Sequence, residues 1–104
     1  MYFQETERIE LKRVLNDTLQ REIVAFLNTF DGVIYIGVDD DGTPLGVDNL
    51  DEVQKKIADI VTTQILPNPQ AQIELGTKYV DGENVIELKV KKGCALYYIK
   101  KIRP

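Results

Sequence analysis

The sequence predicts an α+β domain: a single mixed β-sheet with two helices packed on it, in the order β-α-β-β-α-β-β-β. Three observations carry that reading. The unbroken apolar run Val33 to Val38 is bounded by Gly32 and by Asp39-Asp40-Asp41-Gly42; it is too short for a helix and reads as a strand covered on both faces. Two longer stretches repeat apolar residues at the helical period, and alternating runs near both ends supply the other strands.

Arg8-Ile9-Glu10-Leu11-Lys12 alternates polar and apolar residues, so Ile9 and Leu11 are expected to face the core and Arg8, Glu10 and Lys12 the opposite side. From about Asp17 to Thr29, Leu19, Ile23, Phe26, Leu27 and Phe30 form an amphipathic stripe, with Asp17 as the candidate N-cap and Asp31-Gly32 as the stop. A strand, a helix and a strand with short joints make a βαβ crossover, which runs residues 8–12 parallel to residues 33–38. Thr43 to Val47 reads as a short return strand after the acidic turn, with Pro44 at an edge. Asn49 and Glu52 resemble a capping box, and Leu50, Val53, Ile57, Ile60, Val61 and Ile65 predict a second helix ended by Pro67 and Pro69. Ile73 to Val90 reads as a hairpin across Asp81-Gly82 with Ile86, Leu88 and Val90 on one face, and a last strand is expected over Leu96 to Ile102.

A chain of 104 residues, 43% hydrophobic, is expected to be one domain spanning 1–104. It lacks a signal-peptide pattern and an apolar run near the length of a membrane span, and the lone Cys94 cannot form an internal disulfide; a cytoplasmic location without membrane partners is expected. The absence of His and Ser excludes serine–histidine triads and histidine zinc sites. The net charge of −4 is unevenly spread: residues 1–87 carry −10, and residues 88–104 carry +6 from Lys89, Lys91, Lys92, Lys100, Lys101 and Arg103. That segregation suits either a basic surface for phosphates or an acidic partner, or a lysine-guarded sheet edge.

Gly37 to Thr43 has the glycine spacing of a P-loop but not its lysine, and three carboxylates stand where phosphates would sit, so no nucleotide cofactor is expected. The ligand spacing of a calcium loop is missing too. The default reading of Asp39 to Gly42 is a hairpin turn, since Asp and Gly supply such turns routinely. A sharper reading joins Glu5, Glu10 and Asp39 across the βαβ unit as carboxylates for a divalent metal, with Lys12 stabilising developing negative charge. Tyr97 and Tyr98, beside Lys100, Lys101 and Arg103, are either base-stacking residues or cover for a sheet edge.

Glu5-x-x-x-x-Glu10-Leu-Lys12, Ala25-Phe-Leu-Asn28-Thr29, Gly32-Val-Ile-Tyr-Ile-Gly37-Val-Asp39-x-x-Gly42, Leu45-Gly46-Val-Asp48, Gly93 and Tyr97-Tyr98 together resemble the Schlafen-type AlbA-like DNA-binding domain over nearly the whole chain. The resemblance implies an AlbA-like fold and a cytoplasmic module associated with DNA or RNA. It also implies the N-terminal part of a longer bacterial protein, a transcriptional regulator or divergent helicase-related protein, joined to a C-terminal region. Eukaryotic Schlafen relatives cleave structured RNA with an acidic triad, which falls here on Glu5, Glu10 and Asp39. Asp31-Gly32 replaces the family's usual Gly-Gly pair, and the usual final strand does not precede Pro104.

The first expectation is therefore a DNA-binding module without cofactor, contacting phosphate through Lys89, Lys91, Lys92, Lys100, Lys101 and Arg103 and stacking bases on Tyr97 or Tyr98. The alternatives are a metal-dependent endoribonuclease using Mg or Mn at Glu5, Glu10 and Asp39 with Lys12, and a protein-interaction or homodimerisation unit.

Overall fold

The computed structural model describes residues 3–100. Its elements are β1 (Ile9–Lys12), α1 (Leu19–Asn28), β2 (Gly32–Ile36), α2 (Leu50–Thr63), β3 (Ile65–Leu66), β4 (Ile73–Val80), β5 (Glu83–Val90) and β6 (Tyr98–Ile99). A mixed sheet runs β1-β2-β5-β4, and β3 pairs with β6 in a separate two-stranded sheet. The α+β class with two helices on a mixed sheet is as the sequence predicts, and β1 lies parallel to β2 with Glu10 opposite Ile34 and Lys12 opposite Ile36.

Both helices cover one face. Leu19, Ile23, Phe26 and Leu27 of α1 and Ile57 and Val61 of α2 pack on Ile34, Ile36, Ile86, Leu88 and Val90, closing the main core. The other face of β2 has no helix. There Phe3 packs on Tyr35, ring centroids 4.4 Å apart, beside Ile9, Leu11, Val38 and Val85. The both-sided cover expected for β2 thus comes from α1 and α2 on one side and an N-terminal strap on the other.

The expected single sheet loses its last strand: of Leu96 to Ile102 only Tyr98–Ile99 is β6, paired with β3 outside the main sheet, and residues 101–102 lie outside the described ones. Asn49 is the N-cap of α2 but makes no side-chain cap bond. Other local expectations change too. Residues 43–47 make only one bridge, Pro44 to Val38, because Gly37 takes a left-handed φ of 98° and its carbonyl accepts both Leu45 N–H (2.7 Å) and Gly46 N–H (3.0 Å). That bulge turns the chain out of the ladder, and Pro44 has no N–H to offer it. The second helix stops at Thr63, so Ile65 enters the core from β3. Asp17 does not cap α1: Thr18 is the N-cap, and its hydroxyl is bonded to Asn16 (2.6 Å) and Lys12 (2.8 Å) instead of a helix N–H. The β4–β5 hairpin turns on Asp81 and Gly82, both at positive φ, as an Asp-Gly turn requires.

Candidate functional site

The largest departure from the sequence reading is the face on which β1 presents its charges. Parallel neighbours share a face, so Glu10 beside Ile34 and Lys12 beside Ile36 lie on the helix-covered side, whereas Ile9 and Leu11 point to the strap. Lys12 is only 8% exposed. Its stem runs beneath the first turns of α1, and its Nζ lies 3.0 Å from Glu22 Oε1 and donates to Thr18 Oγ1 at 2.8 Å. Lysine can be buried this way because the aliphatic stem accepts an apolar setting while the ammonium finds oxygens.

Glu10 and Lys12 do share a face, at the sheet's β1 edge. The Glu10 carboxyl is pushed above its ordinary 4.5, first by burial, then by Glu5 and Glu22; Lys12 opposes the rise and Asp40 adds to it. The carboxylates gathered around Glu10 are therefore Glu5, Glu22 and Asp40. Asp39 is engaged elsewhere: its Oδ1 is 2.7 Å from Arg13 Nε and also accepts Asp40 N–H. Among the described residues no three acidic or cysteine side chains converge closely enough to share a metal ion. The predicted set Glu5, Glu10 and Asp39, as arranged, does not fit a common cation, and no chemical step is derived through one.

The Asp-rich bend is held by its own turn bonds. Gly42 N–H donates to the Asp39 carbonyl (2.8 Å), Asp39 N–H to the Thr43 carbonyl (2.9 Å), and Thr43 N–H to Asp41 Oδ1 (2.9 Å). Hydrogen bonds from Thr43 hold the Asp41 carboxyl below its ordinary range. Phe3 N–H donates to the Gly42 carbonyl at 3.2 Å, which brings the strap and Glu5 to this end of the sheet.

Glu10 gives a pH prediction. Its folded value is raised, so the stability it contributes is complete below the ordinary 4.5 and is lost as pH rises through the raised value. Glu10→Gln should therefore raise the melting temperature slightly at pH 7 and leave it unchanged at pH 4. Equal gains at both pH values would refute the burial argument.

Arg8, Lys89, Lys91 and Lys92 lie at the opposite end of β2. Gly32 pairs with Val90, so Lys91 and Lys92, both exposed, leave the sheet beside Arg8, whose guanidinium lies 4.3 Å over the Phe30 ring. Asp31 accepts Lys92 N–H through Oδ1 (2.8 Å), and its carbonyl faces Arg8 (3.4 Å). Lys89 is on the helix-free face, near Glu74 (3.7 Å) and Glu87 (3.9 Å). Lys100 is exposed beside β3, its N–H on the Gln64 carbonyl. Lys101 and Arg103 lie outside the described residues.

The tyrosine pair is divided. Tyr97, expected as a stacking residue, is 8% exposed; its ring sits where a Cβ on Gly93 would be, and Asn28 clamps its backbone through two 2.9 Å bonds. No base can reach that ring. Tyr98 is 56% exposed and remains open to a ligand. The residue that sequence reasoning missed is Glu22: as one polar position on an amphipathic helix it carried no signal, and only its contact with Lys12 marks it. Tyr35 was read only as part of the buried strand. Its hydroxyl donates to Glu87 (2.9 Å), and burial together with that bond pushes its pKa up to about 12.

A mixed β1-β2-β5-β4 sheet with both helices on one face, an acid-lined edge and a basic end defines an AlbA-like α+β domain. The chain belongs to the Schlafen, AlbA_2 family, whose model matches residues 5–103. Among solved structures it is similar to the N-terminal domain of a RecG-related protein from Nitrosomonas europaea, named for ATP-dependent DNA helicases. The TM-score is 0.81 at 23% identity, with 98% of this chain and 76% of that one covered. It is also similar to the DIP2311 protein from Corynebacterium diphtheriae, with a TM-score of 0.65 at 19% identity, covering 92% of this chain and 20% of that one. At these identities the likeness concerns the fold. No curated protein gives a significant sequence match.

Proposed function

We propose that the domain is the nucleic-acid-binding module of a longer bacterial regulator, meeting phosphates through Arg8, Lys89, Lys91, Lys92 and Lys100, with Tyr98 supplying a stacking ring and Lys101 and Arg103 extending the basic stretch. The observation that carries it is the separation of charge along β2, with the basic cluster at its start and Asp39, Asp40 and Asp41 at its end. A duplex is repelled from the acidic end and drawn to the basic one, so orientation follows from the field alone. Family membership supports the reading, and the helicase-related name of the Nitrosomonas protein makes duplex DNA the first partner to test.

Titration with duplex and single-stranded DNA over a salt series is the experiment. Lys91→Glu with Lys92→Glu should weaken binding at least tenfold at low salt and flatten the dependence of log K on log salt by about two units, one for each lost phosphate contact. No binding at low salt, or binding indifferent to both changes, would remove the reading.

A second reading, a metal-dependent endoribonuclease, draws on the raised Glu10 carboxyl with Glu5 nearby. Against it, Lys12 is held by Glu22 and Thr18, and Asp39 by Arg13. Cleavage of structured RNA that needs Mg or Mn and is lost in Glu10→Ala with folding intact would establish it.

A further inference from the structure

We propose that β4 is a self-pairing edge: two copies of the chain join antiparallel along Ile73–Val80, centred on Gly76, into one continuous eight-stranded sheet. In the order β1-β2-β5-β4 this strand is a border, eight residues long, with no proline inside it to block pairing. Lys91 N–H donates to the Gln72 carbonyl, and the β4–β5 register continues from there as Ile73 opposite Val90 and Glu74 opposite Lys89. By the alternation of an antiparallel ladder, Glu74, Gly76 and Lys78 turn their backbone groups to β5, and Ile73, Leu75, Thr77 and Tyr79 turn theirs outward.

The outward set admits several registers, and side-chain chemistry selects one. Centring on Gly76 sets Glu74 opposite Lys78 of the other copy, twice, on the helix-free face. Moving the centre to Leu75 sets Glu74 opposite Gly76, and moving it to Thr77 sets Glu74 opposite Val80; both lose the two charge pairs. The chosen register also sets Leu75 opposite Thr77 and Ile73 opposite Tyr79. Tyr79 stands 72% exposed on the border strand, a large ring left without cover there. It would reach toward a recess of about 150 Å³ beside Ile73 and Leu75, floored by Ile57, Val61 and Leu88. At the axis, a Cβ on Gly76 would meet open space, so a cysteine side chain can be placed there without a clash inside its own chain. The two-fold makes the contact isologous and closed, which stops the pairing at two copies.

An edge of this length is about 27 Å and makes a small interface, so dissociation is expected on the order of 10 µM. Sedimentation from about 1 to about 500 µM should show a reversible dimer. Lys78→Glu should weaken it at least tenfold by setting like charges opposite at both pairs, and adding Glu74→Lys should restore it. In a Cys94→Ala background, Gly76→Cys should oxidise to a covalent dimer, because facing residues of a non-hydrogen-bonded pair stand about 4.5 Å apart. Monomer at every concentration, failure of the charge swap to restore association, or failure of the cysteine pair to close each overturns the proposal.

Discussion

Lys12→Met is expected to destabilise the domain by about 2–3 kcal/mol, lowering the melting temperature by roughly 10–15 °C. Methionine fills most of the volume of the lysine stem, so little of the loss comes from packing. It comes from Glu22, whose side chain is three-quarters buried and whose Oε1 has the Lys12 ammonium at 3.0 Å and no other hydrogen-bond partner. Without the ammonium, a mostly desolvated carboxylate stands beside Glu10, which is already raised by Glu22. The Thr18 hydroxyl loses the ammonium as a donor and keeps its bond to Asn16. The double change Lys12→Met with Glu22→Leu should therefore recover most of the loss, since removing both charges also removes the unpaired one. Urea unfolding of the two singles and the double closes the cycle. A single Lys12→Met that unfolds at the parent's midpoint would show that the pair holds nothing.

The same lysine marks the limit of what the sequence discloses. Alternation in Arg8 to Lys12 says that two faces exist and that Ile9 and Leu11 share one. It does not say which face a helix will cover, because both are apolar enough once the lysine stem is counted as hydrocarbon. Phe3 and Tyr35 decide it by closing over Ile9 and Leu11. The parallel β1–β2 pair was legible because a short strand, a helix and an apolar strand with tight joints leave one common topology. The Asp81-Gly82 hairpin was legible because two residues at positive φ fix its register locally. The fate of residues 43–47 was not, since it turns on the Gly37 bulge, which needs the Lys12 carbonyl to receive two N–H groups at once, 2.8 Å from Gly37 and 3.0 Å from Val38. Tyr97 and Tyr98 carry the same chemistry in adjacent positions, and only the Asn28 clamp and the gap above Gly93 separate a core ring from an exposed one.

Gly42→Ala is expected to cost about 2–3 kcal/mol, and two physically separate causes divide it. Gly42 sits at a φ of 91°, where alanine is strained by about 1 kcal/mol. A Cβ there would also collide with the Phe3 backbone carbonyl, so the strap must lift from the bend. Lifting it loses the Phe3 N–H bond to Gly42 and the cover over Tyr35, each worth about 1 kcal/mol. Removing residues 1–4 separates the causes, because without the strap the substitution should cost only the backbone part. If Gly42→Ala costs as much in the shortened chain as in the full one, the strap does not rest on the bend. The consequence reaches the acidic edge, since the strap also carries Glu5 toward Glu10. Lifting it removes one of the negative neighbours that raise the Glu10 carboxyl, which should then titrate closer to its ordinary value, a change readable by NMR titration of the Glu10 side chain.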